Sequence, residues 1–365
     1  MTISEDISGW YESLNLPNII RRHRSIILII IGNIAFILYL VYFVGIGSLI
    51  DFLSRLNLEQ YTLFYSIAAA AVVLSVFFDS LIWHSLLKPL SIKVKLRKLF
   101  LYNWIGNFIE MVIPCETVCG EATRIYLSQK ETSSNAGIAA APVVSSRILS
   151  TFVYTSGLVI GFVWLLFTRS IPLYLVSLFI LIVVGTSAIV GAIFYLAFSD
   201  TAVEKLVNFL MRIVRVITKN QTKLERDKER ITRSLASFGD SFRVYRQHPR
   251  YLIKPIIFAI IAWFFSLLVY LLVFHSLGYN SIGLIDLTLI YCVQATVETI
   301  TAGFPVGAVE ITTINLYSLY GVPVVIAGAA TTLTRLLTFW FQIIIGYPIL
   351  QFTELKNSIK GTFFK

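Results

Sequence analysis

The sequence predicts an all-α, polytopic integral membrane protein, with six to eight transmembrane helices and two re-entrant helical hairpins arranged as an inverted repeat. Three observations predict it. Of 365 residues, 57% are hydrophobic and only 14% charged, whereas a soluble domain is near half apolar with about a quarter of its residues charged. Four runs, Ser25–Gly45, Tyr61–Phe78, Ile171–Ser199 and Pro255–Ile285, contain no Asp, Glu, Lys or Arg, and a helix needs roughly 20 residues to cross the hydrocarbon core. The few charges at membrane depth recur at one offset. This balance excludes a cytosolic enzyme, a disordered chain and a disulfide scaffold.

The net charge of +10 sits beside apolar spans, where Lys and Arg mark the cytoplasmic side, so topology explains it and no nucleic-acid partner is expected. Arg21, Arg22 and Arg24 place segment 1–24 inside, ahead of a retained first span, Ser25–Gly45. The next loop carries only Asp51, Arg55 and Glu59, which suits the outside. Span two, Tyr61–Trp83, returns to Lys88, Lys93, Lys95, Arg97 and Lys98. Leu99–Pro114 is short, holds Glu110 and ends on proline. Were it to cross, segment Asp200–Arg250, with 12 Lys/Arg against 6 Asp/Glu, would lie outside. The conflict disappears if Leu99–Glu131 enters and leaves from the inside as a hairpin, satisfied by protein or a wet cavity. Spans Ala136–Thr168 and Ile171–Ser199 follow. The basic loop 200–250 reads as helical on the inner leaflet, with Leu206, Leu210, Ile213, Val214 and Ile217 at helical spacing and a Glu229/Arg233 pair.

Tyr251–His275 then crosses outward, and Val322–Phe352 returns to a cytoplasmic tail, 353–365. Asp286–Tyr320 between them must cross zero times or twice. A second hairpin is the favoured reading, and an eight-span drawing in which Asp286–Phe304 and the next leg both cross is the alternative. A transmembrane domain thus spans 25–352, with repeat one at about 61–168 and repeat two at about 251–352.

An offset of 188 superposes Glu110 on Glu298, Ala139 on Ala327, Arg147 on Arg335 and Leu149 on Leu337. The charge argument makes the copies enter from opposite sides. Inverted repeats with broken segments meeting near the midplane are the architecture of secondary transporters. Arg147 and Arg335 fall near mid-depth, where an arginine costs on the order of 3 kcal/mol and needs a partner. Candidate partners are Glu110, Glu121, Glu298 and Glu310, and Arg124 shares a helical face with Glu121. One reading is architectural, each pair holding hairpin to helix. The other makes Arg124, Arg147 and Arg335 anion ligands in a polar groove, since guanidinium forks suit phosphate oxygens. The carboxylates would then neutralise the arginines or hold a cationic part of the substrate.

No catalytic constellation, cofactor motif or metal spacing is present: Cys115, Cys119 and Cys292 form no repeated pair, and His23, His84, His248 and His275 are scattered. Asp79 lies near the inner boundary of span two, where water can reach it, and is read as no coupling-ion site.

The motif residues resemble the flippase-like family, also called the lysylphosphatidylglycerol synthase transmembrane region. They are Pro114-Cys-Glu-Thr-Val-Cys-Gly-Glu-Ala-Thr-Arg124, then Arg147, Phe304-Pro-Val-Gly-Ala-Val-Glu310, Gly321-Val-Pro and Thr334-Arg-Leu-Leu-Thr-Phe-Trp340. Cys119 stands where the family has the first Gly of a Gly-Gly-Glu step, and Val306 where it has a Gly of the second motif. The resemblance implies movement of a phospholipid or a polyprenyl-phosphate-linked sugar between leaflets of the cell membrane. It implies a stand-alone member, because 13 residues after Phe352 leave no room for an aminoacyl-transfer domain. The substrate-binding residues expected are Glu110, Glu121, Arg124, Arg147, Glu298, Glu310 and Arg335. The rivals are a membrane enzyme with Glu121 or Glu310 as base, and a scaffold that anchors a glycosyltransferase through the basic loop.

Overall fold

A computed structural model describes residues 34, 36–39, 41, 42, 45–112, 117–132, 134–168, 173–198, 237–300 and 307–352. The expected N-terminal segment and nearly all of the first span lie outside these residues. So do loop residues 200–236, the hairpin tips with Pro114 and Pro305, and the C-terminal tail. Among the described residues the backbone is helical, with no strand. The elements are α1 (Ile46–Ser54), α2 (Leu58–Leu87), α3 (Leu96–Val112), α4 (Thr117–Thr132), α5 (Ala136–Thr168), α6 (Leu173–Phe198), α7 (Arg250–Ser276), α8 (Leu284–Ile300), α9 (Ala308–Leu319) and α10 (Val324–Phe352).

Four of these, α2, α5, α7 and α10, are long and apolar enough to cross a membrane, and α6 is a 26-residue helix without a charged residue. The protein is therefore a polytopic α-helical membrane protein. Its lipid-facing surface shows in stripes at helical spacing, such as Ile253, Ile257, Ile260 and Phe264 on α7, all exposed. In water so continuous an apolar face would aggregate; against acyl chains it needs no cover.

Helix α2 starts where the Asn57 side chain accepts from the N–H groups of Glu59 and Gln60. It then runs the length of α7. Gln60 Nε2 donates to the His275 carbonyl at 2.9 Å, and Ser75 Oγ donates to the Ala262 carbonyl at 3.2 Å. Phe78 meets Phe258 with ring centroids 6.1 Å apart. The start of α2 thus pairs with the end of α7, and the helices are antiparallel. Small residues at the contact (Ala68, Ala71, Ala259, Ala262) let the backbones approach. Because α2 and α7 are copies of one another at the 188-residue offset, antiparallel pairing makes the repeat an inverted one.

The other elements obey the same offset. It carries Leu96–Val112 onto Leu284–Ile300 residue for residue, and it carries the start of α5, Ala136, onto the start of α10, Val324. Helices α3 and α4 pair as one hairpin and α8 and α9 as the other. At ~1.5 Å per residue the 17-residue α8 and 12-residue α9 are roughly 26 and 18 Å long, short of the ~30 Å hydrocarbon core. Each hairpin packs on the long helix of the other repeat, α3 on α10 and α8 on α5.

Glycines set these crossings. A Cβ on Gly161 would sit 2.8 Å from the Leu289 backbone nitrogen, and one on Gly346 would sit 2.9 Å from the Trp104 carbonyl oxygen. Helix α10 has a π-helical turn at Leu336–Trp340, immediately after Arg335, that its copy lacks. A π-turn inserts one residue into a helix. Beyond it the equivalence runs at 189: Gly157 faces Cys292, and Gly346 faces Trp104, the counterpart of Cys292.

Candidate functional site

Arg147 and Arg335 are each the twelfth residue of their helices, about 16 Å from the start at ~1.5 Å per residue. Their equivalent partners, Glu110 and Glu298, lie near the tips of α3 and α8. Folding one hairpin against each helix therefore delivers a carboxylate to a guanidinium in both halves.

In repeat one, Glu110 bridges two arginines: Oε1 lies 3.5 Å from Arg147 Nη2, and Oε2 lies 3.6 Å from Arg124 Nη2. Arg124 also donates to Glu121 Oε1 at 2.9 Å, one helical turn away, and to Asn107 Oδ1. Asn107 in turn donates to Gln342 Oε1 at 2.9 Å, tying this cluster to α10 of the other repeat. Arg124 is buried and lies across Gly106, where a Cβ would come within 2.5 Å of its Nε. Gly120 is needed in the same crossing, since its Cβ would meet Glu110 Oε2 at 2.8 Å and the Gly106 carbonyl at 2.9 Å. The Gly-Glu step of the sequence motif is thus a close approach of two helices beside a charge.

Repeat two is tighter. Arg335 Nε donates to Glu310 Oε1 at 2.6 Å and Nη1 donates to Glu298 Oε1 at 3.0 Å. Its guanidinium also sits over the Phe339 ring, 5.1 Å from the centroid. Glu310 caps its own helix by accepting from the Gly307 N–H, and Gly307 holds φ at 99°, which favours glycine. Only 7% of the Arg335 side chain and 2% of Glu310 are accessible.

The two arginines therefore differ. Arg335 is enclosed and doubly hydrogen-bonded. Among the described residues Arg147 has one ion-pair partner, Glu110 at 3.5 Å, and 45% of its side chain is accessible. Glu298, the partner of Arg335, is accessible to 43%. Helices α5 and α8 run antiparallel, with Tyr154 against Tyr291 and Gly161 against Leu289. Arg147 lies seven residues before Tyr154, and Glu298 lies seven after Tyr291. All seven residues singled out in the sequence fall into these two clusters.

Asp79 was not among the expected site residues. It faces the first cluster, close enough to feel Arg124, Arg147, Glu121 and Glu110. Its counterpart in the second repeat is Leu267, so the repeat gives no signal for it. Asn107, Gln342, Tyr154 and Tyr291 were also missed, because an uncharged polar residue in a transmembrane helix leaves no mark in the sequence. In charge, the described residues of the site set five carboxylates (Asp79, Glu110, Glu121, Glu298 and Glu310) against three guanidiniums (Arg124, Arg147 and Arg335).

Residues 25–346 match the family model described as the lysylphosphatidylglycerol synthase TM region. The chain is 26% identical over 342 residues to a UPF0104 membrane protein of Methanothermobacter thermautotrophicus, covering 93% of this chain and 98% of that one. It is 25% identical over 334 residues to a UPF0104 membrane protein of Pyrococcus horikoshii (88% and 95%) and 26% over 330 residues to one of Methanocaldococcus jannaschii (89% and 93%). No solved structure matches the chain.

Proposed function

The chain belongs to the family of the lysylphosphatidylglycerol synthase TM region, and from that premise we propose that it transports a lipid, passing the head group between leaflets through the groove at Arg147 while the tails stay in the bilayer. The observation that carries this reading is the inequality of the two arginines. A guanidinium kept for architecture is enclosed by its partners, as Arg335 is. Arg147 is held at membrane depth, loosely paired and accessible, which suits a group that binds and releases an anionic oxygen. A lipid phosphate crossing unaided must leave water without a compensating partner, and the groove supplies one.

The carboxylate surplus narrows the cargo. A bare phosphate adds negative charge to a site that already has an excess of it. A head group that pairs a phosphate with an ammonium offers the phosphate to Arg147 and the ammonium to Glu298 or Asp79, so a zwitterionic or cationic phospholipid fits best. The carboxylates serve as counter-ions, not as bases: Glu110, Glu121 and Glu310 are all committed to arginines.

Reconstitution into vesicles with acyl-labelled phosphatidylethanolamine tests this. Arg147→Ala is expected to slow leaflet-to-leaflet transfer about tenfold or more, equivalent to losing roughly 1.4 kcal/mol or more of transition-state stabilisation, while the protein still purifies as a folded monodisperse species. Transfer at the unaltered rate would remove the site assignment.

A further inference from the structure

We propose that Tyr154 and Tyr291 are positioning residues for that same transfer, their paired hydroxyls taking up the hydrogen bonds of the phosphate-bearing head group as it leaves Arg147 toward the end of α5. The proposal rests on the transport reading above. Tyr154 lies two helical turns beyond Arg147, on the same face of α5, and it is partly accessible, whereas Tyr291 is buried. Its hydroxyl meets that of Tyr291 at 2.6 Å, and Tyr291 lies two turns before Glu298 on the facing helix. Arg147 and Asp79 are close enough to act on Tyr154, as Glu298 and Arg335 are on Tyr270, whose ring packs 5.2 Å from Tyr291. The tyrosines therefore stand between the two charged clusters.

Behind them the polar path continues into the α2–α7 contact: Tyr291 bonds to Ser266, and Ser266 and Ser75 share a hydrogen bond of 2.7 Å. A phenol hydroxyl carries one donor and two acceptor sites. A pair of them can open, accept an ammonium or donate to a phosphate, and close again without leaving a charge behind. Charged residues at that level would hold the head group too firmly, and aliphatic ones would leave its oxygens unpaired.

The test uses the full chain in mixed phosphatidylethanolamine and phosphatidylglycerol vesicles with acyl-labelled phosphatidylethanolamine as probe. Tyr154→Phe and Tyr291→Phe should each lower the transfer rate about tenfold. The double variant should be no slower than the slower single, because the hydroxyls act as a pair. Lipid retained on purification and the thermal unfolding midpoint should stay at the parent values. Tyr317→Phe removes a buried hydroxyl with no hydrogen-bond partner among the described residues and should transfer normally. Normal transfer by both tyrosine variants, with Arg147→Ala slowed, overturns this proposal and leaves the transport reading standing. A loss of transfer that tracks loss of retained lipid or a lowered midpoint also overturns it. Normal transfer by Arg147→Ala as well would sink the transport reading itself.

Discussion

Arg147 and Arg335 occupy the same position in equivalent helices and have equivalent glutamates, yet their surroundings assign them different work. Removing Arg335 leaves Glu310 buried with only its own helix's N–H for company, and breaking a buried pair from one side costs about 3–5 kcal/mol. Arg335→Ala should therefore fail to accumulate as a folded protein or lose much of its thermal stability, measured as the unfolding midpoint in detergent. Glu310→Gln is milder, because the amide oxygen can still accept from Arg335 Nε. Seven residues of the candidate site were read from the sequence, four of them for a plain reason: Glu110, Arg147, Glu298 and Arg335 are charges inside apolar runs, and two pairs recur at one spacing. The inequality between the arginines was not legible. It depends on Glu310 and Phe339 enclosing one of them, whereas Glu110 is shared between Arg147 and Arg124, and that sharing exists only after the hairpin folds. Asp79 was hidden differently, since its closeness to Arg124 depends on how α4 lies against α2 in three dimensions.

At the level of elements, the helix–helix crossings rest on missing side chains. Gly346→Ala would drive a Cβ to 2.5 Å from the Phe108 Cβ and 2.9 Å from the Trp104 carbonyl, and neither is the far end of a flexible chain. Overpacking of this kind costs about 1–3 kcal/mol, so a lowered unfolding midpoint is expected. Gly191→Ala, with nothing within 4 Å of the new methyl, should leave the midpoint in place. The first hairpin was read from chain economy, because a single crossing by Leu99–Pro114 would have put the basic loop outside; for the second, the charges fixed only an even number of crossings. The π-turn was not legible, because an insertion of one residue within an otherwise continuous helix changes neither hydropathy nor composition. Its trace in the sequence is the slip from an offset of 188 at Arg147 and Arg335 to 189 at Gly157 and Gly346, visible only when the glycines are known to make equivalent contacts.

Across the whole molecule, the inverted repeat places the hairpin of each half on the long helix of the other, giving two equivalent interfaces, α5–α8 and α3–α10, beside the charged clusters. Two equivalent interfaces around one site give a direct route to alternating exposure: one loosens while the other holds, and the pseudo-symmetry makes the reverse state comparable in energy. If transport works this way, locking one interface should stop it. The structure provides the lock. A Cβ built on Gly157 lies 3.1 Å from the Cys292 sulfur, within the roughly 2–4 Å that separates the sulfurs and β-carbons of a disulfide, provided the Trp263 ring edge at 2.8 Å shifts slightly. With Cys115 and Cys119 replaced by serine, Gly157→Cys should cross-link to Cys292 on mild oxidation, tying α5 to α8 directly beside the tyrosine pair. Transfer of labelled lipid should then fall to the level of empty vesicles and recover on reduction, while the same chain with Cys292→Ser ignores both treatments. Undiminished transfer in the fully cross-linked protein would mean that the α5–α8 interface does not open during the cycle, and the two halves would have to move head groups past one another without parting there.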